Sequence, residues 1–243
     1  MAIHYRTKGL ILKKENLREA DRIFVIYTQD FGKLEILGKA IRKIKSKLRG
    51  GTELFYLSEI EFIQGKTYKT LTDVALIEKF ENIRKDLKKL KIAYRISEVL
   101  DNLIKGQEPD EKIWLLLNET FPKLNNQQLT VSDQQLLYYY FLWNLFSILG
   151  YQPELYNCLL CQKKLTPEKL YFSPEEGGIT CSSCFKKLKK ESLKIEPEII
   201  KILRIILKKD WLILSKLKFD KNHEKSLKSI SESYLNHVLA EIK

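Results

Sequence analysis

Four cysteines are the residues whose type and spacing point most directly to chemistry. Cys158 and Cys161 form one CxxC pair, Cys181 and Cys184 form a second, and 19 residues separate the two pairs. Each pair can place two thiolates on one metal ion, so the two pairs together supply the four tetrahedral ligands that zinc favours. Because the cysteines are clustered and not scattered along the chain, the sequence predicts a metal site rather than disulfides.

The predicted zinc is structural, because four thiolates leave no open coordination position for a substrate or water. The three histidines are His4, His223 and His237, and none begins the H-x-E motif of zinc deaminases. We expect the metal to stabilise the local fold and not to take part in activity. An empty reduced site, a redox dithiol pair and an iron–sulfur cluster stay open as alternatives.

A basic segment between Gly38 and Gly50 is the second candidate site. Eleven residues contain six cations and no acidic residue. The candidate DNA-binding residues are Lys39, Arg42, Lys43, Lys45, Lys47 and Arg49. Such a cluster can neutralise phosphates and release counterions without reading base sequence. The alternative is an ordinary solvated loop.

Apolar residues in and around this basic segment suggest how it is held. We expect Ile41 and Ile44 to anchor the segment. Four nearby aromatic residues are expected mainly in the core, with stacking on bases as the alternative: Tyr5, Phe24, Tyr27 and Phe31.

Composition agrees with a polyanionic partner. The chain has 43 Lys+Arg against 31 Asp+Glu, a net charge of +12, which favours nucleic acid first and an acidic membrane surface second. The N-terminus has no apolar signal segment, and the apolar stretch 136–149 is shorter than the roughly 20 residues that span a bilayer. We therefore expect a cytoplasmic protein without a membrane partner.

A second basic cluster follows the last cysteine and consists of Lys186, Lys187, Lys189 and Lys190. It can extend a nucleic-acid track or be an ordinary exposed face, and we favour the exposed face.

Five strands are predicted in the first 80 residues, at 3–14, 22–28, 33–37, 53–63 and 68–77. Without a long crossover helix, they indicate a small antiparallel barrel. An OB-fold is the leading candidate, although an SH3-like barrel has almost the same pattern.

Helical periodicity begins after residue 80. The first predicted helix is capped by Asn82 and reaches Leu103, and the second spans 110–121 and is ended by Pro122. The third is capped by Ser132 or Asp133 and ended by Gly150. Two more helices are predicted over 197–209 and 222–242. The predicted fold is α+β and multidomain. A five-stranded OB-fold β-barrel at 1–80 is followed by an α-helical domain at 81–243, with the four-cysteine zinc module inserted at about 151–190.

Sequence motifs of enzymes are absent. The chain has no Walker A sequence, no GxGxxG, no GxSxG and no HExxH pair, so we expect a protein without catalytic residues. A metal-dependent nuclease without a sequence signature stays open.

Three segments resemble the RecO family of bacterial recombination mediators. They are the basic segment 38–48, the approach 149–161 to the first cysteine pair, and the stretch 171–184 with its Phe-Ser-Pro, Gly-Gly and second CxxC. The resemblance spans nearly the whole chain and weakens after about residue 215. It departs at Leu48-Arg-Gly-Gly-Thr52, where the family pattern has a Gln-Pro-type step.

The resemblance implies a concrete function. The barrel would be an OB-fold that binds single- and double-stranded DNA and anneals complementary strands. With a RecR-type partner, the protein would help load recombinase onto DNA coated by single-strand-binding protein, whose acidic C-terminal tail would dock on the helical domain. It would act in the bacterial cytoplasm at the nucleoid. The alternatives are an RNA-binding zinc-ribbon protein and the metal-dependent nuclease.

Overall fold

The computed structural model describes residues 3–187, 191–217 and 219–242. The chain divides into two compact units, Met1–Gln128 and Leu129–Lys243. Each unit has its own core. The division into domains at residues 80 and 81 stays a prediction.

The first unit contains a closed five-stranded barrel. Its strands are β1 (His4–Leu17), β2 (Asp21–Thr28), β3 (Gly32–Gly38), β4 (Leu57–Gln64) and β5 (Lys69–Glu78). They are ordered β1-β2-β3-β5-β4, with β1 closing on β4. All pairs are antiparallel except β3 and β5, which run parallel. This topology confirms the predicted OB-fold.

Alternating residues of the strands fill the barrel. Buried core residues include Ile11, Phe24, Ile26, Leu34, Ile36, Ile41, Ile60, Phe62 and Leu71. Tyr27 is also buried, while the half-buried Tyr5 and Phe31 pack on Phe62 with ring centroids 5.4 and 5.5 Å away. The expectation that these aromatic residues serve mainly the core is confirmed.

The fourth strand begins later than its sequence pattern predicts. Phe55 has a positive φ of 62° and breaks the extended backbone just before Leu57. Its ring is fully buried between Tyr94 and Phe121, so it belongs to the packing of helices and not to the strand alternation.

Three helices complete the first unit: α1 (Glu81–Lys85), α2 (Leu87–Leu103) and α3 (Glu111–Asn125). The prediction that Asn82 caps one continuous helix is wrong. The carboxylate of Asp86 accepts hydrogen bonds from the N–H groups of Lys88 and Lys89 and caps α2, while Asn82 bonds to Asn125. The short side chain of Asp86 competes with the helical backbone and restarts the helix.

Pro122 does not end the third helix, contrary to the sequence-based prediction. The helix continues to Asn125 because Phe121 and Leu124 are buried at 1% and 0% exposure. Burial of these side chains offsets the hydrogen bond that proline cannot donate.

The second unit begins with α4 (Val131–Ile148) and continues through β6 (Leu170–Ser173), β7 (Gly178–Cys181), α5 (Ser182–Phe185), β8 (Leu193–Ile195), α6 (Pro197–Leu207), α7 (Trp211–Leu214) and α8 (Lys221–Glu241). The strands form a small sheet in the order β7-β6-β8. The sequence did not predict this sheet, because strands of three or four residues are too short to show a period of two.

Helix α4 is the centre of the second unit. Thr130, rather than the predicted Ser132 or Asp133, caps it. The Thr130 hydroxyl accepts a hydrogen bond from the Asp133 N–H, and the Asp133 carboxylate accepts one from the Thr130 N–H, which forms a capping box. Gly150 follows the helix with φ +91°, as expected for a C-terminal stop. Residues 136–146 are all buried, which fits a core helix. Among the described helices, none is both long and apolar enough to cross a membrane.

Candidate metal centre and nucleic-acid interface

The four cysteines meet in one cluster in the second unit. Their Sγ atoms all lie within 4.8 Å of one another, and the Cys161 and Cys181 sulfurs are 4.0 Å apart. A tetrahedral ion with metal–sulfur distances of about 2.3 Å needs sulfurs about 3.8 Å apart. The cluster is therefore preformed to within small side-chain adjustments.

A tight hairpin presents the first pair. Asn157 and Lys164 form an isolated β-bridge, and the N–H of Cys158 donates to the Lys163 carbonyl at 2.9 Å. Gln162, directly after Cys161, takes a positive φ of 57° that reverses the chain. The reversal brings both thiols to one side of the hairpin.

The end of a strand and the start of a helix present the second pair. Cys181 is the last residue of β7, and Cys184 lies in the single turn of α5. The backbone N–H of Cys181 donates to the Cys158 sulfur at 3.4 Å, which links the two pairs. Hydrogen bonds of this kind orient thiolate ligands.

Close packing between backbone segments sets the relative position of the pairs. A Cβ atom on Gly178 would lie 2.8 Å from the Glu154 carbonyl oxygen and 2.9 Å from Leu159. The glycine therefore allows β7 to approach the segment that leads into the first pair.

Hydrogen bonds and burial shift the thiol pKa values of Cys158, Cys181 and Cys184 in different directions. The Ser183 hydroxyl, 3.1 Å from the Cys181 sulfur, is the main cause that lowers the pKa of Cys181 to about 6. The hydrogen bond with Cys181 raises the pKa of Cys184 to about 12. Burial raises the pKa of Cys158, but hydrogen bonds from the backbone N–H groups of Cys161, Cys181 and Leu160 and from the Cys161 side chain together outweigh burial and leave this pKa below its ordinary value. A bound divalent cation would favour the thiolate form at all four positions.

This donor set fits a soft divalent cation. Cys158 and Cys184 are buried, Cys181 is half-buried and Cys161 is exposed, so the cluster lies at the edge of the unit. Four sulfur ligands close a tetrahedral shell. The arrangement can hold a metal ion and is consistent with zinc.

The basic segment connects β3 to β4 on the barrel. The segment ends in a 3₁₀ helix at Lys47–Gly51. All six predicted cationic residues are exposed, and none of them forms an ion pair within the part of the chain that the structure describes. The barrel thus presents a cluster of exposed positive charge without a direct ion-pair partner among the described residues.

The base of this segment is tied to the turn between β1 and β2. The Asp21 carboxylate accepts a hydrogen bond from the Ala40 N–H at 2.7 Å, and the Ala20 carbonyl accepts one from the Arg42 N–H at 3.0 Å. Ile41 is buried in the barrel core, which confirms it as an anchor, but Ile44 is 92% exposed and anchors nothing.

Comparison with known proteins connects both units to one family. The model described as Recombination protein O N terminal matches residues 1–80, and that described as Recombination protein O C terminal matches residues 84–243. The chain belongs to the RecO family.

Relatives support the same assignment along almost the full length. A DNA repair protein RecO from Dehalococcoides mccartyi is 32% identical over 235 residues, which cover 97% of this chain and 90% of the relative. One from Caldanaerobacter subterraneus is 30% identical, with 87% and 83% coverage, and one from Acetivibrio thermocellus is 29% identical, with 97% and 92% coverage. The RecO family acts in DNA repair.

In this RecO-family chain the structure adds a cleft that sequence analysis missed. A cavity of about 330 Å³ lies beside the basic segment, between the β1–β2 turn and the β4–β5 turn. Arg18, Lys39, Lys66 and Tyr68 line it. The loops at this end of an OB-fold are where oligonucleotides bind. Gly65-Lys66 signalled a turn, but only the closed barrel brings that turn beside Lys39.

The second basic cluster is partly described. Lys186 and Lys187 are exposed directly after α5, whereas Lys189 and Lys190 lie outside the described residues. Its role as a track or as an ordinary face stays a prediction.

Proposed function

We propose that this RecO-family chain is a non-catalytic DNA-binding mediator that anneals complementary strands. The observation that carries the proposal is the set of six exposed cations on the barrel, none of which forms a direct ion pair among the described residues. They are the proposed DNA-binding residues: Lys39, Arg42, Lys43, Lys45, Lys47 and Arg49. Each cation that meets a phosphate releases counterions, which supplies affinity for any sequence of single- or double-stranded DNA.

The neighbouring cleft extends this interface. Arg18 and Lys66 line the cleft together with Lys39, so three cations outnumber its one carboxylate, that of Asp21. Tyr68 offers a ring for a base. A strand that follows the cleft and the basic segment would have its phosphate charge screened along several nucleotides. Screening lowers the repulsion between two strands, and annealing needs no bond to be made or broken.

Strand annealing of two labelled complementary oligonucleotides, without nucleotide cofactor, tests the proposal. We expect annealing by the intact chain and its loss when Lys39, Arg42, Lys43 and Lys45 become Ala. A control variant replaces four exposed lysines elsewhere, namely Lys88, Lys91, Lys221 and Lys225, and so removes the same charge. If both variants anneal equally well, the basic segment is not the site.

Binding and cleavage assays on the same purified protein distinguish annealing from the two alternative functions, RNA binding and nuclease activity. A strong preference for structured RNA over single-stranded DNA would favour an RNA-binding protein. Cleavage of DNA that requires magnesium would favour a nuclease. Either outcome would replace the annealing proposal.

We further propose that the cluster of Cys158, Cys161, Cys181 and Cys184 holds a structural zinc ion. The preformed sulfur geometry and the absence of an open position support this assignment. Replacing Cys181 and Cys184 with Ser should lower both zinc content, measured by atomic absorption, and the melting temperature. Full retention of zinc in that variant would contradict the four-cysteine assignment.

Two protein partners belong to the proposal because the family resemblance implies them. One is a RecR-type protein, which would assist recombinase loading on DNA coated by single-strand-binding protein in the bacterial cytoplasm. The other is the acidic C-terminal tail of that coating protein.

A groove on the second unit suits the acidic tail. It has a volume of about 350 Å³, and α6 and the start of α8 line it. Its apolar lining comes from Ile202, Ile205 and Leu217. Two cations, Lys201 and Arg204, outnumber the one carboxylate that lines it, that of Glu198. Fluorescence anisotropy of a labelled tail peptide should show weaker binding for Lys201→Glu. Unchanged affinity would place the tail elsewhere.

A further inference from the structure

Two isoleucines three residues apart in the basic segment have opposite environments. Ile41 is 1% exposed and packs in the barrel core, whereas Ile44 is 92% exposed, the highest value among the exposed large apolar residues of the described chain. Full exposure of a β-branched apolar side chain is unfavourable in water. The exposed residue lies in the part of the segment with the most positive charge.

Hydrogen bonds hold Ile44 in this position. The Lys43 N–H donates to the Ala40 carbonyl at 3.1 Å, and the Ser46 N–H donates to the Lys43 carbonyl at 3.0 Å. The second bond closes a turn whose two central residues are Ile44 and Lys45. Central residues of a tight turn project away from the chain, so the backbone presents Ile44 outward.

Charge surrounds this apolar tip. Lys43 and Lys45 flank Ile44 and are exposed, and Arg42 lies one residue further back. A protein partner with an apolar pocket would have to bury these cations or pair them. Nucleic acid satisfies both requirements at once, because phosphates lie on either side of stacked apolar bases.

We propose that Ile44 is a wedge that inserts between neighbouring bases of bound DNA while Lys43 and Lys45 contact the flanking phosphates. Apolar side chains are known to part base steps in this way in DNA-binding proteins. The inference deepens the proposed function and rests on it. Its consequence is that the basic segment unstacks bases locally, which leaves them accessible for pairing with a second strand.

Fluorescence of 2-aminopurine tests the wedge, because this base analogue brightens when it is unstacked. Single-stranded oligonucleotides with one such base should brighten when the full-length chain saturates them. Ile44→Ser should remove most of that increase at saturation. Affinity should stay within roughly threefold and the salt dependence should stay unchanged, because phosphate contacts carry most of the binding.

Two further variants make the result specific. Lys45→Ala should keep the brightening at saturation but weaken binding, with a log–log salt slope shallower by about 0.7. Leu87→Ser, at another strongly exposed apolar position of the first unit, should behave like the unaltered chain.

The outcomes separate the wedge from the underlying function. Full brightening with Ile44→Ser overturns the wedge, and so does binding by the unaltered chain without any brightening. A salt slope reduced by Ile44→Ser as much as by Lys45→Ala would also overturn it. Failure of the unaltered chain to bind DNA at all is instead a failure of the proposed function.

Discussion

A buried polar pair in the second unit illustrates how single residues hold this molecule together. The indole N–H of Trp143 donates to the Ser231 hydroxyl at 2.9 Å, and both residues are buried. The Trp143 ring also stacks on Tyr234 with a centroid distance of 5.2 Å. The hydrogen bond lets α4 keep a tryptophan in its core without an unsatisfied donor.

Ser231→Ala should therefore destabilise the protein by about 1–3 kcal/mol, because the indole N–H stays buried without a partner. Urea unfolding followed by tryptophan fluorescence measures the change. Ser229→Ala, at an exposed position of the same helix, is the control and should have little effect. Equal stability of the two variants would mean that another acceptor or water replaces the hydroxyl.

The carboxylate of Glu61 is expected to make the stability of the barrel depend on pH in the acid range. Its carboxylate lies 2.7 Å from His4 Nδ1 and accepts from Arg6 at 3.1 Å, and hydrogen bonding with His4 is the largest cause that lowers its pKa from the ordinary 4.5. A lowered folded-state pKa contributes stability above the unfolded value, and this contribution is lost as pH falls through the folded value.

Below pH 4.5, the intact chain should lose stability more steeply than Glu61→Gln, which has no carboxylate to protonate. Thermal melts over a pH series measure the difference. Glu35→Gln, an exposed substitution on β3, should keep the acid response of the intact chain. Parallel curves for the intact chain and Glu61→Gln would exclude this linkage.

Strand β7 is the element on which the metal centre depends. It carries Cys181 at its end and packs against the hairpin that holds the first pair, where Gly178 permits the close approach. Displacement of this strand would separate the two pairs of sulfurs even though no cysteine had changed.

Gly178→Ala should lower the melting temperature and the zinc content together, because the new Cβ would lie within 2.8 Å of a backbone oxygen that cannot rotate away. Differential scanning calorimetry and metal analysis measure the two effects. Gly50→Ala is the control, since a Cβ there meets nothing within 4 Å. Unchanged zinc content in Gly178→Ala would show that the pairs move independently of the strand.

At the scale of the whole molecule, the basic segment and the candidate metal centre lie in different compact units. The basic segment belongs to the unit 1–128, and the cysteine cluster belongs to the unit 129–243. Each unit has its own apolar core, so loss of metal is expected to act on the second unit.

Chelation should therefore lower the melting temperature of the chain but leave the affinity for single-stranded DNA and its salt slope nearly unchanged at low temperature. Fluorescence anisotropy in a salt series, with and without chelator, tests this expectation. A control measurement restores the metal and should recover the original melting temperature. Loss of DNA binding on chelation would assign the metal a role in function.

The sequence by itself predicted the features that depend on residues close together in the chain. The CxxC spacing predicted the cysteine cluster, and the run of cations between Gly38 and Gly50 predicted an exposed basic loop, because both signals lie in short stretches of chain. Strong alternation and helical periodicity predicted the barrel and the main helices. The resemblance carried by residues 38–48 and 171–184 predicted the family.

Only the tertiary structure decided the features that depend on contacts distant in sequence. Closure of the barrel, not periodicity, distinguished the OB-fold and brought Lys66 and Tyr68 beside Lys39. Helix α3 continues past Pro122 because Phe121 and Leu124 are buried. Ile41 packs in the barrel core, whereas Ile44 is exposed to solvent. Sequence patterns register local backbone preference and amphipathicity, whereas these outcomes depend on which distant surfaces become neighbours when the chain closes on itself.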